Sequence, residues 1–139
     1  AESLTEYGRH AGMIFQIVDD VLDLTATDEE LGKPSGLDLA EGIYTLPVIY
    51  ALRTSPELKA LLGRPLDPEA VAQGRAPTCP DGAVASALAV ADGHAGQAAR
   101  VLADAKIDEK VADALNRLSR SIIERSRSAA TASPGARAS

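Results

Sequence analysis

Three carboxylates lie close together in the segment FQIVDDVLD, which covers residues 15–23. Asp19 and Asp23 are four residues apart and Asp20 and Asp23 three apart, so a helix places all three over one sector about one turn long. Like charges at this spacing repel each other, and no Lys or Arg lies within a turn of them. A bound divalent cation would neutralise the cluster. Carboxylate oxygens without neighbouring His or Cys suit Mg²⁺, which commonly bridges to a substrate phosphate.

Two other interpretations of the acidic run need to be weighed. A calcium loop places its ligands along an extended loop with a central Gly. Here the carboxylates accompany Ile14, Ile17 and Val21 in an apolar helical pattern, and no Gly occurs between Met13 and Glu30. The calcium loop is therefore excluded, whereas an acidic face that is merely solvated stays an alternative on the DDxxD pattern alone.

A glycine-flanked turn follows the acidic helix at residues 32–36 (GKPSG) and carries one cation, Lys33. A Lys on such a turn can reach a phosphate that the metals already hold, and the glycines permit a close approach of the backbone. Further along, Thr45 can cap a helix whose first turn accommodates Pro47. The turn that carries Lys33 is thus a second feature, after the acidic helix, that indicates binding of a metal and a phosphate.

The segment from Phe15 to Leu52 resembles the second aspartate-rich region of the trans-isoprenyl diphosphate synthases, the polyprenyl synthetase family. The shared features are an FQxxDDxxD core, the GK turn, a GxDL segment and the TLP start of a helix. The resemblance is strong over about residues 1–53, while residues 54–127 agree with the family only in their helical character. It implies an all-α protein with the terpene synthase-like helical fold.

The resemblance also implies a reaction and a set of roles. An allylic diphosphate ionises to a carbocation, isopentenyl diphosphate attacks it, and a proton is lost to leave a chain one isoprene unit longer. Asp19 would be a direct Mg²⁺ ligand, with Asp20 and Asp23 completing the metal site directly or through water. Lys33 would bind the diphosphate, and Phe15 and Gln16 would line the cleft beside the reacting carbons. Asp38 would accept a hydrogen bond from metal-bound water.

The sequence departs from the family pattern at two points. Many relatives carry a Lys just before the aromatic-Thr-Leu-Pro segment, where this chain has Ile43. A first DDxxD motif and further upstream Arg and Lys residues are also absent from the 139 residues. We therefore expect residues 1–128 to be the C-terminal part of a polyprenyl synthetase domain that is inactive alone. Product length and the identity of the allylic substrate cannot be deduced from this sequence.

Two other classes of function come into consideration. The first is a non-catalytic or regulatory subunit of a heteromeric prenyl synthase, but such subunits usually lose the acids that are intact here. The second is a terpene cyclase, which usually pairs an aspartate-rich motif with an Asn/Ser/Glu triad that does not follow here. A chain-elongating transferase is the interpretation that the motifs favour.

Composition excludes several further functions. The net charge of −6 and the lack of a basic patch argue against binding to nucleic acid. Cys79 is the one cysteine, so the sequence offers neither a disulfide framework nor a zinc site. The sequence contains no stretch of 18 apolar residues, so it predicts no membrane-spanning helix. We expect a cytoplasmic enzyme, and the resemblance implies that the intact protein is a homodimer.

The periodicity predicts helices throughout, with a disordered tail at residues 129–139. The predicted helices cover Ser3–Thr27, Leu37–Glu41, Leu46–Arg53, Pro56–Leu62, Pro68–Gln73, Ala83–Ala105 and Asp108–Ser128, and the chain between Gly74 and Gly82 is predicted to be a loop. His94 is expected to be a surface or helix-packing residue and not a catalytic one. The Arg residues of the last helix are expected to complement its dipole, with a role toward diphosphate left open.

Overall fold

The computed structural model describes residues 2–32, 34–62, 66–67, 69–71 and 82–132. The regular elements of this part of the chain are all α-helices, which confirms the predicted all-α class. In chain order they are α1 (Glu2–Thr25), α2 (Asp28–Leu31), α3 (Leu37–Ala40), α4 (Leu46–Ala51), α5 (Pro56–Leu61), α6 (Ala83–Asp104) and α7 (Glu109–Ala132). Residues 69–71 of the predicted Pro68–Gln73 helix are described and helical, whereas the rest of that segment and the predicted loop up to residue 81, with Cys79, lie outside the described residues.

The acidic helix ends two residues earlier than predicted, and a second short helix begins at once. Thr27 is the N-cap of α2: its hydroxyl accepts from the Glu30 amide at 3.3 Å, and Glu30 Oε2 accepts from the Thr27 amide at 2.9 Å. This capping box satisfies two otherwise unbonded amides and so restarts the helix. Gly32 ends α2 in the left-handed conformation, with φ of 67°.

The last helix begins nearly where it was predicted and ends later. Asp108 Oδ1 accepts from the amides of Lys110 and Val111 at 2.9 and 3.3 Å, so Asp108 caps the start of this helix. The helix runs on to Ala132, so residues 129–132 do not belong to a disordered tail. Alanine is the best helix former and loses no side-chain entropy, which explains why the helix continues. Residues 133–139 lie outside the described part.

Helix α4 starts where it was predicted to, but its N-cap side chain does not bond to the helix. Thr45 occupies the N-cap position and Pro47 the first turn, as expected. The Thr45 side chain, however, makes no capping hydrogen bond, and its hydroxyl is buried. Pro47 lacks an amide hydrogen and therefore reduces the number of donors that a cap must satisfy.

The core forms where α1 packs between α6 and α7. Its buried members are Ile14, Ile17, Val18 and Val21 of α1, Val84, Ala87, Leu88 and Ala91 of α6, and Ile123 of α7. The short alanine side chains of α6 let the helix axes approach closely. A second cluster, which includes Leu24, Leu39 and Val48, packs the turn after α1 against α4 and α5. The acidic end of α1 is thereby fixed from two sides.

Tyr7 joins the first and last helices of this core through a hydrogen bond. The ring is buried, and its hydroxyl donates to the Leu115 carbonyl oxygen at 3.0 Å. The buried hydroxyl of Ser119 lies 3.1 Å from the same phenol oxygen and can donate to it. Because both polar groups are out of water, they depend on each other for satisfaction.

We predict that Tyr7→Phe lowers the free energy of unfolding by about 1–2 kcal/mol, since the Leu115 carbonyl and the Ser119 hydroxyl lose a buried partner. Urea denaturation followed by far-UV circular dichroism measures this loss. Tyr44→Phe is the matched control, because the Tyr44 side chain is exposed. Equal stability of the two variants would contradict the role of Tyr7.

Candidate metal and diphosphate site

The acidic motif lies on the side of α1 that the core leaves uncovered. Burial of Ile17, Val18 and Val21 fixes the rotation of the helix about its axis. Asp19 is consequently exposed and Asp20 half-buried. Packing of the apolar positions therefore presents two of the predicted metal ligands to solvent.

Asp23 differs from the other two acids because it is only 3% exposed. Its Oδ2 lies 3.4 Å from the Asp38 amide, and its own carbonyl oxygen accepts from the Gly36 amide at 2.7 Å. Gly36 has a φ of 72°, in the left-handed region that favours glycine. Asp23 thus connects the last turn of α1 to the turn that leads into α3.

Asp20 lies in a strongly acidic environment. Burial raises the pKa of its carboxyl group, and the charges of Asp38, Asp19 and Asp23 raise this pKa further. Gln16 acts in the opposite direction, because its Nε2 donates to Asp20 Oδ1 at 2.9 Å and stabilises the charged form. The fold therefore brings the other three predicted carboxylates within electrostatic reach of Asp20, although Asp38 is separated from the motif in sequence.

These carboxylates fit Mg²⁺ as part of a site rather than as a closed cage. Within the described residues, no set of three His, Cys, Asp or Glu side chains surrounds a single point. Mg²⁺ usually retains several waters and takes one or two carboxylates together with substrate phosphates. Asp19 and Asp20 can supply that number of ligands from one side. Burial, and after it the charges of three neighbouring acids, raise the pKa of Asp20, and a bound cation would offset both effects.

The glycine-flanked turn is organised by an acid that the sequence did not single out. Asp28 Oδ1 accepts from the Ser35 amide at 2.8 Å and from the Ser35 hydroxyl at 2.6 Å. These bonds hold the end of the turn against the start of α2. Lys33 itself lies outside the described residues, so its predicted contact with diphosphate stays a prediction.

A cavity of about 400 Å³ lies beside the acidic motif, between α1, α2 and α7. Phe15 and Asp19 line it from α1, with Ile122 and Arg125 from α7. The Phe15 ring is 64% exposed, which is high for a large apolar side chain. Arg125, whose role the sequence left open, thus lies at the same cavity as Asp19. Only the packing of α7 onto α1 shows this, because the two residues lie near opposite ends of the chain.

The family model described as polyprenyl synthetase matches residues 1–77, which include α1 to α5 and hence the whole acidic cluster. The chain belongs to the polyprenyl synthetase family. Solanesyl-diphosphate synthase 2, chloroplastic, of Oryza sativa subsp. japonica is 52% identical over 61 residues, which are 44% of this chain and 15% of that protein. Heptaprenyl diphosphate synthase component 2 of Bacillus subtilis (strain 168) is 55% identical over 58 residues, 42% of this chain and 16% of that protein.

Solved structures extend the likeness beyond the matched segment. A heptaprenyl diphosphate synthase from Staphylococcus aureus superposes with a TM-score of 0.80 at 30% identity, over 90% of this chain and 40% of that one. A geranylgeranyl pyrophosphate synthase from Corynebacterium glutamicum, complexed with calcium and isoprenyl diphosphate, gives 0.76 at 35% identity over 88% and 39%. The polyprenyl synthetase helical fold therefore includes α6 and α7, and this chain spans about two fifths of those solved chains.

None of the described helices of this family member is long and apolar enough to cross a bilayer. Its relatives include proteins named as chloroplastic and as mitochondrial. The cytoplasmic location of this chain stays a prediction.

We predict that Asp20→Asn stabilises the metal-free chain at neutral pH by about 0.5 kcal/mol, a small value because solvent screens a half-buried site. An acid whose pKa is raised by folding lowers stability above its ordinary pKa of 3.8 and has no such effect well below it. Asparagine keeps an oxygen acceptor for Gln16. The difference from the unmodified chain should therefore vanish near about pH 3.

Urea denaturation at both pH values measures this difference. Asp113→Asn, at an exposed position on α7, is the control for the loss of one negative charge. A stabilisation of the same size in both variants would show that net charge, and not the acidic cluster, is responsible.

Proposed function

We propose that this chain supplies the second aspartate-rich half of a trans-prenyltransferase, which condenses an allylic diphosphate with isopentenyl diphosphate and releases diphosphate. The single observation that carries the proposal is the acidic cluster around Asp20 in a member of the polyprenyl synthetase family. Burial and three neighbouring carboxylates raise the pKa of Asp20, so the site favours a cation. Diphosphate carries the opposite charge and would reach these carboxylates through such a cation.

The three acids of the motif would divide the work. Asp19, exposed beside the cavity, and Asp20, half-buried, would hold Mg²⁺. When bound, the ion supplies positive charge that stabilises the departing diphosphate. Asp23 is buried and bonded to the following turn, so its contribution would be to hold Asp38 and that turn in position. Asp38 would accept a hydrogen bond from metal-bound water.

Phe15 and Gln16 would face the reacting carbons. An ionised Asp20 can only accept hydrogen bonds, which requires Gln16 Nε2 to point toward it and Oε1 to point away. The free carbonyl dipole of Gln16 could then favour developing positive charge. The exposed ring face of Phe15, on the wall of the cavity, would do the same through its quadrupole.

Two cations would complete the contacts of this chain with diphosphate. Lys33, between Gly32 and Pro34, would bind it as a point charge. Arg125 lies at the same cavity as Asp19 and can offer two parallel donors to a phosphate. Ile43, at the position where many relatives carry Lys, would remove one further contact. A hydroxyl or thiol nucleophile is unnecessary in this chemistry, because the allylic diphosphate leaves by charge neutralisation.

A second candidate is a regulatory subunit of a heteromeric synthase. One relative is named component 2 of a heptaprenyl diphosphate synthase, which indicates that the enzyme has a further component. The intact set of Gln16, Asp19, Asp20 and Asp23 favours the catalytic role, since a regulatory subunit has no need of metal ligands.

We predict that, in the complete protein, Asp19→Ala lowers kcat by about a hundredfold or more, equivalent to about 3 kcal/mol of lost transition-state stabilisation. Asp23→Ala should lose less, because Asp19 is the expected direct Mg²⁺ ligand, whereas Asp23 is buried and bonds to the following turn. Steady-state elongation with radiolabelled isopentenyl diphosphate at saturating Mg²⁺ measures both. Asp113→Ala is the control. Near-normal turnover by Asp19→Ala would refute the catalytic proposal.

Lys33 should act through its charge. We predict that Lys33→Ala raises the apparent KM for the allylic substrate about tenfold or more, which corresponds to the loss of a charge-assisted bond of about 1.5–3 kcal/mol, and that Lys33→Arg is better tolerated. Lys59→Ala, on the exposed side of α5, is the control. If neither kcat nor KM changes in Lys33→Ala, the assignment of Lys33 to diphosphate is wrong.

A further inference from the structure

The two histidines of the chain meet across the interface between α1 and α6. His10 Nδ1 lies 2.9 Å from His94 Nδ1, and the ring centroids are 5.2 Å apart. Both side chains are half-buried. A hydrogen bond between two imidazole nitrogens requires a proton on one and a lone pair on the other. The bond therefore persists only while one of the two Nδ1 atoms is unprotonated.

The surroundings of the two rings indicate which histidine donates the hydrogen bond and which accepts it. Glu6 Oε1 lies 3.6 Å from His10 Nε2, one turn earlier on α1, so an imidazolium at His10 would face a carboxylate. Burial lowers the pKa of His94, and the charge of His10 lowers it further. In the singly protonated pair, His10 is accordingly the imidazolium donor and His94 the neutral acceptor.

The other charged groups near this interface are engaged elsewhere. Arg9 of α1 lies 3.6 Å from Glu6, and Asp92 of α6 pairs with Arg127 of α7. At the neighbouring level, α7 presents the uncharged Ser119 to Tyr7. Among the described residues, His10 is the one whose charge acts on His94. Within the described part of the chain, a second proton on the pair therefore has no carboxylate acting on His94 to stabilise it.

We propose that His10 and His94 form an acid-sensitive clasp between α1 and α6, which fastens the helix that carries the aspartate cluster and opens in mildly acidic solution. A second proton places two N–H donors and two positive charges against each other at 2.9 Å. The bond then breaks, and α1 loses a polar contact with its main packing partner. The clasp does not depend on the proposed transferase activity.

The direction of the pH dependence follows from the acceptor. A histidine whose pKa is lowered by folding takes up its proton more readily in the unfolded chain, so acid favours unfolding. The stabilisation is complete above the ordinary pKa of 6.5 and decreases as the pH falls from there through the lowered pKa of His94.

Nuclear magnetic resonance of the ¹⁵N-labelled chain tests the clasp without any substitution. The chain contains only two histidines, so both imidazoles can be followed individually. We expect a scalar coupling between the two Nδ1 atoms near about pH 7.5, and its loss in the same pH range in which His94 titrates below 6.5. Absence of the coupling together with an ordinary pKa for His94 would overturn the proposal.

Two variants separate a clasp from simple packing. In His10→Gln, the pKa of His94 should rise toward 6.5, because the neighbouring charge is gone. Acidification from about pH 7.5 to about pH 5.5 should lower the midpoint of thermal unfolding of both proteins, but it should lower that of His94→Gln by less than that of the unmodified chain. If the midpoint decreases equally in both proteins, or if the pKa of His94 is unchanged in His10→Gln, the two rings only pack together.

Discussion

Burial of one face of α1 between α6 and α7 is the constraint on which the rest of the structure depends. The apolar side chains at positions 14, 17, 18 and 21 all enter the same core, so the helix has one rotational setting. That setting directs Asp19 and Phe15 to the cavity and brings His10 against His94. A rotation of α1 by even one residue would expose the core side chains and bury the carboxylates.

The acidic cluster is tolerated because this packing overcomes its repulsion. Burial and the charges of the neighbouring carboxylates raise the pKa of Asp20, which means that ionised Asp20 opposes folding at neutral pH. Apolar burial at about 25 cal/mol per Å² readily exceeds a penalty of this kind. The arrangement is typical of sites whose charge is balanced by a ligand, and it agrees with the family to which the chain belongs.

The motif also shows that residues of one type can have different tasks. Asp19 and Asp23 lie on the same face in a helical projection, yet Asp19 is exposed and Asp23 is buried against a turn. Asp23 bonds to backbone amides that belong to the sequence after α2, and this contact places Asp38 near Asp20. Asp28 does the same for Ser35. Buried or bridging acids of this kind organise the turn on which the cation Lys33 is located.

Sequence alone determined the class of the fold, most helix limits and the group of acids, because these depend on local periodicity, caps and a motif within one helix. The family could likewise be inferred from an ordered series of short motifs. The sequence could not show that Asp23 and Asp19 differ in burial, that Arg125 lies at the same cavity as Asp19 or that His10 contacts His94. Burial and long-range contact decide those features, and both arise only when α6 and α7 pack against α1. Two helix ends also differ from the predicted ones. Helix α1 ends early because the Thr27 capping box starts a new helix, and α7 runs further because alanine has a high helix propensity.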